Sequence, residues 1–132
     1  MVGSITPEQN VTAAEACLAA INDRFGGSGI ESSIQNHSND KKYAFVRIVC
    51  PPQHWIALAK WMKYDLSVNY CSMVTGTHFP DGSPERGWEV AYHFLRQPVQ
   101  NQKPNTCTVH DVEKLSGMDI PMEFEVFMPL PQ

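Results

Sequence analysis

Between residues 51 and 96 an amphipathic helix pattern runs into two strand patterns joined by a turn, a succession that restricts the chain to folds laying helices on a sheet. Trp55, Leu58, Ala59 and Met62 share one helical face, and Lys60 and Lys63 turn away from it. The period then changes. Asn69 to Phe79 predicts a strand, and Pro80-Asp81-Gly82-Ser83-Pro84 supplies turn residues. Beyond the turn, Trp88, Val90, Tyr92 and Phe94 alternate with Glu89, Ala91, His93 and Leu95 at a period of two. No part of this stretch carries a catalytic constellation, so it points to docking rather than reaction.

The flanking segments extend the same pattern. Thr6-Pro7-Glu8-Gln9 and Thr12-Ala13-Ala14-Glu15 both have the form of a helix start, and the sequence leaves both open. From either start Val11, Ala14, Leu18, Ile21 and Phe25 make an apolar stripe, which Gly26-Gly27-Ser28-Gly29 ends by supplying residues that tolerate positive φ. Residues 30–36 form a weak strand, His37-Ser38-Asn39-Asp40 a turn, and Lys42 to Cys50 a β-branched and aromatic strand stopped by Pro51 and Pro52. Gln97 to Asn105, with Pro98 and Pro104, predicts a loop. Thr106 to Val112 and Met122 to Met128, separated by Ser116-Gly117, predict two more strands. Hairpin-length turns outnumber crossovers. The expected architecture is therefore a single α+β domain over residues 1–132, a two-layer sandwich with two main helices on one face of a mostly antiparallel sheet.

At 132 residues such a domain buries about two-thirds of its unfolded surface and needs no staple. Cys17, Cys50, Cys71 and Cys107 are widely spaced without a C-x-x-C, which predicts reduced and mostly buried thiols. A net charge of −4 with no basic stripe argues against nucleic acid. Apolar runs are broken by Arg47 and Lys60 well short of the ~20 residues of a spanning helix, and Met1-Val2-Gly3-Ser4 lacks the opening of a signal peptide. The expectation is a soluble, cytoplasmic protein, or one held at a membrane only through other subunits.

Pro51-Pro52-Gln53-His54-Trp55 opening a helix, then Val68-Asn69-Tyr70, then Val90-Ala91-Tyr92-His93-Phe94-Leu95, resembles the C-subunit family of NADH–quinone oxidoreductase, respiratory complex I. A preceding helix with Cys17, Leu18, Ile21 and Phe25, and a closing strand ending Val126-Phe127-Met128-Pro129-Leu130-Pro131, follow that family's order, so the resemblance spans residues 10–131. The family usually continues into an acidic-basic-acidic signature and a phenylalanine-glycine step that pack on the large neighbouring subunit. This sequence stops before them, and contacts of that tail do not carry over. Energy-converting membrane-bound hydrogenases have a short version of this family member, and a methanogen dehydrogenase acting on a reduced deazaflavin is a further relative. The resemblance implies a cofactor-free subunit on the cytoplasmic side of the membrane, holding together a large catalytic subunit and iron–sulfur subunits. Iron–sulfur clusters and nickel–iron or flavin centres are expected in those partners.

If helices cover Val90, Tyr92, Phe124 and Val126, alternation turns Leu95 and Phe127 to the other face, with Tyr43 or Phe45 alongside. With Leu130 and with Trp61, on the flank of its helix, these are the candidate interface residues, whereas Trp55 and Trp88 fit a core. Cys107-x-x-His110 is half of a metal pattern, but residues three apart on a strand face opposite ways. His54 and His93 have no carboxylate at a spacing that would orient them. Ser72 and Ser116 lack a nucleophile-elbow context, and Glu85 and Glu89 flank Arg86 as solvated charge pairs do. A competing function is a small cone-shaped enzyme or ligand-binding domain with an apolar pocket containing Tyr92 with Asp65 or Asp111.

Overall fold

The computed structural model describes residues 6–38, 43–96 and 121–131. The strand expected over 106–112, the loop over 97–105, the Ser116-Gly117 break, the Cys107/His110 pair, Asp111 and part of the turn at 37–40 lie outside them.

Thr6 settles the first helix. Its hydroxyl accepts from the Gln9 amide at 3.1 Å and its own amide donates to the Gln9 side chain at 3.0 Å, a reciprocal cap that starts α1 (Pro7–Phe25). The buried face of α1 is Asn10, Ala13, Ala14, Cys17, Ile21 and Phe25, while Val11 and Leu18 are only half-buried. The stripe is thus rotated toward small residues, which let the helix lie close to the sheet. Gly27 (φ 82°) and Gly29 (φ 96°) carry the left-handed turns that release the chain into β1 (Glu31–Asn36).

β2 (Ala44–Val49) pairs antiparallel with β1 and parallel with β5 (Met122–Leu130). Between β2 and β5 come a 3-10 turn at Pro52–His54, α2 (Trp55–Tyr64), β3 (Tyr70–His78) and β4 (Trp88–Arg96). The sheet order is β1-β2-β5-β4-β3, with every pairing antiparallel except β2 with β5. The protein is α+β; among the described residues two helices pack against a five-stranded, mostly antiparallel sheet. Both helices use one face. There Val46, Ile48, Phe124 and Val126 meet Cys17 and Ile21 of α1 and Leu58 of α2, all essentially inaccessible to water. After α2, Ser67 adopts a left-handed conformation (φ 58°), between Leu66 and Val68, both buried. Asn10 bridges the layers, its amide donating to the Ala44 carbonyl at 3.1 Å and accepting from the Ala44 amide at 2.7 Å.

The helical layer is asymmetric. α1 lies over β1, β2 and β5, and all nine residues of β3, at the other margin of the sheet, are exposed.

Candidate functional site

Where the helical layer ends, a groove opens between α2 and the β3–β4 hairpin. Trp55, the first residue of α2, sets one wall by stacking on Tyr92 at 4.4 Å between ring centroids and an 18° interplanar angle, with Phe94 beyond it at 6.1 Å. Tyr92 and Phe94 are two apart on β4, so both project to the helix side with nearly parallel rings. One turn along α2, Ala59 is too small to reach across to β3, and Met62 and Val68 close that side. Tyr70, Cys71 and Val74 form the opposite wall, and the open groove between them has a volume of about 410 Å³.

The lining is apolar except for the polar parts of Asn69, Tyr70, Cys71 and Tyr92 and the ammonium of Lys63. Among the described residues no carboxylate or imidazole lines it. Asp65, expected beside Tyr92 in a ligand pocket, is not part of the lining. Among the described residues no group of three or more His, Cys, Asp or Glu side chains could hold a metal. Cys71 is exposed, unlike the other described thiols; burial pushes the Cys17 thiol up, and that of Cys50 up to about 11.

The four residues singled out from sequence fall in three places. Leu95 and Phe127 lie on the sheet face away from the helices, with Phe45, as alternation predicts. They do not adjoin. The cross-strand row Arg47–Glu125–His93 runs between them, Nδ1 of His93 standing 3.5 Å from Glu125 and the Arg47 guanidinium 4.4 Å over the Phe127 ring. Glu123, opposite Leu95, is 2.9 Å from Nε2 of His37. Trp61 packs edge-on against Phe25 at 5.4 Å, joining the two helices. Leu130 shares the helix-side face with Val126 and Met128 but sits at the hairpin end, opposite Trp88. His54 is half-buried at the end of the 3-10 turn, and Arg86 reaches Glu89 as the charge pattern predicts.

Trp88 corrects an expectation. Rather than joining the core it is 46% exposed, stacked on His78 at 4.1 Å where β4 begins. Six large apolar side chains are exposed among the described residues, and five of them (Tyr70, Met73, Val74, Phe79 and Trp88) belong to the β3–β4 hairpin. The exposure is thus concentrated on one element, with Val74 on its groove side and Met73 on its other face. Sequence pattern missed it because Met73 and Val74 have the same hydropathy in a central strand as in a marginal one. The available signals were the small Ala59 on an otherwise bulky helix face and the absence of Lys, Arg, Asp and Glu from Tyr70 to His78.

No protein-family model and no curated protein matches the chain. Among solved structures it is similar to "Nqo5 of the trypsin-resistant fragment (1-134) in P63 form", with 16% identity and a TM-score of 0.46 over 87% of this chain and 71% of that one.

Proposed function

We propose that this chain is a non-catalytic, cofactor-free docking subunit in the hydrophilic arm of a complex I-like oxidoreductase or an energy-converting hydrogenase. The observation that carries the docking role is the exposed apolar hairpin beside a largely apolar groove, a combination that suits burial against another protein. The class of complex rests on the resemblance of Pro51–Trp55, Val68–Tyr70 and Val90–Leu95 to the C-subunit family of complex I.

On this reading the neighbours are the large catalytic subunit and the iron–sulfur subunits, which carry the clusters and the nickel–iron or flavin centres. The chain then sits on the cytoplasmic side of the membrane and touches it only through those subunits. No helix among the described residues is long and apolar enough to cross a bilayer, which agrees with attachment through partners. Deleting the gene tests the role. The account predicts that the large and iron–sulfur subunits fail to assemble on native gels and that a chain with an unaltered surface restores them; full assembly without it would refute the docking role.

A further inference from the structure

The margin of the sheet beside the groove specifies what kind of partner fits. In the β3–β4 ladder the Phe79 amide donates to the Gly87 carbonyl, so by antiparallel alternation Met73, Thr75 and Thr77 direct their amides and carbonyls to β4. Val74, Gly76 and His78 direct theirs outward, along a margin where no described strand pairs. Such margins are usually guarded by lysine, proline or an inward-pointing charge, and Tyr70 to His78 contains none of these. The irregularity between Cys71 and Met73 leaves the six residues from Met73 to His78 in regular register.

The same residues face the groove. Val74 and Cys71 line it, and among the described residues a Cβ built on Gly76 would meet nothing within 4 Å. Backbone groups with which no described strand pairs, and an apolar wall beside them, lie on one strand.

Resting on the docking role proposed above, we infer that β3 accepts an extended segment of another polypeptide as an antiparallel sixth strand, whose alternate aliphatic side chains lie over the groove beside Val74 and Gly76. A second copy of the chain fits less well. A two-fold pairing that satisfies Val74, Gly76 and His78 together puts Gly76 on the axis and a copy of His78 opposite Val74, which brings no aliphatic side chain to the groove. Lys63, the charged lining residue, favours a carboxylate next to the aliphatic positions of the incoming segment. Recognition would come from the main chain, and specificity from every second side chain.

The probe is an acetylated, amidated heptapeptide, Glu-Ile-Thr-Val-Thr-Ile-Glu, titrated into the full chain by fluorescence anisotropy with amide-resolved hydrogen exchange. Saturable one-to-one binding is expected. In the free chain the Val74, Gly76 and His78 amides should exchange quickly and those of Thr75 and Thr77 slowly, and the peptide should slow the first set by about tenfold or more. N-methylation of the peptide's three aliphatic residues, whose amides would face β3, should weaken binding by about tenfold or more, and N-methylation of its threonines should not. Val74→Glu should weaken binding similarly while leaving circular dichroism and Tm unchanged.

Equal binding of the two methylated peptides, or none at millimolar concentration, would overturn the inference. Protection of the outward amides in the free monomer would mean that the chain covers its own margin, and protection that grows with concentration and dimerisation would assign it to a second copy; either result also overturns it. None of these readouts needs a native partner. Assembly in cells that survives Gly76→Pro, which removes an outward amide and spares the bonds to β4, would remove this inference and leave the docking role standing.

Discussion

Replacing Asn10 by alanine tests how the helical layer is fixed to the sheet. Asn10 is 4% exposed, and both polar atoms of its side chain are spent on the backbone of Ala44, itself 3% exposed, at 3.1 and 2.7 Å. Asn10→Ala strands one buried amide and one buried carbonyl, each costing about 1–3 kcal/mol without a partner. Water entering the space vacated by the side chain recovers part of this, so the expected loss is about 2–4 kcal/mol. Urea unfolding followed by tryptophan fluorescence should show a lower midpoint with an unchanged slope. Asn10→Asp sharpens the test, because the carboxylate still accepts from the Ala44 amide but repels its carbonyl. Burial and that carbonyl both favour the protonated acid, so the folded-state pKa is raised, the acid supports the fold below the ordinary carboxylate pKa, and the support is lost as pH rises through the raised one. Asn10→Asp should therefore approach wild-type stability at acid pH and fall well below it at pH 7. An Asn10→Ala protein within ~0.5 kcal/mol of wild type, or an Asn10→Asp defect that ignores pH, would refute the assignment.

Other consequences follow from single positions. Trp61→Ala removes the edge-on contact with Phe25 and should destabilise the isolated chain by about 2 kcal/mol in urea unfolding; no change would mean that Trp61 does not join the helices. Ser67→Val puts a β-branched residue at φ 58° and should lower stability by about 1–2 kcal/mol, while Ser67→Gly should not lower it; equal effects would remove the strain argument. Iodoacetamide at pH 8, read by peptide mass spectrometry, should modify Cys71 well before Cys17 and Cys50, whose burial disfavours the thiolate. Because the Cys50 pKa rises from 9.0 to about 11, its contribution to stability is intact below pH 9 and lost as pH climbs toward 11, so alkaline unfolding should be milder in Cys50→Ser at equal starting stability.

The element types were legible in the sequence wherever period and punctuation agreed. The β3–β4 hairpin emerges from alternation on either side of Pro80–Pro84, and α2 from the spacing of Trp55, Leu58 and Met62 after two prolines. Helix starts at Thr6 and Thr12 were indistinguishable, since both satisfy the local capping pattern; the long-range bonds of Asn10 to Ala44 accompany the Thr6 start and have no local signature. Sheet order was equally hidden. The insertion of β5 between β2 and β4 leaves β3 at a margin of the described sheet, and that position makes Met73 and Val74 surface residues and Trp88 a half-exposed ring on His78. Register decided the far face. Alternation correctly turned Leu95 and Phe127 away from the helices, but the cross-strand row that places Glu125 between His93 and Arg47 requires knowing which strands are neighbours.

The claim beneath all of this is that the chain works by being held against other proteins. Its mass after gentle solubilisation of native membranes, with a tag on this chain and native mass spectrometry, tests that most directly. The account predicts recovery in a stoichiometric assembly with a large catalytic subunit and iron–sulfur subunits. Recovery of the chain alone, as a free monomer at native expression, would contradict it.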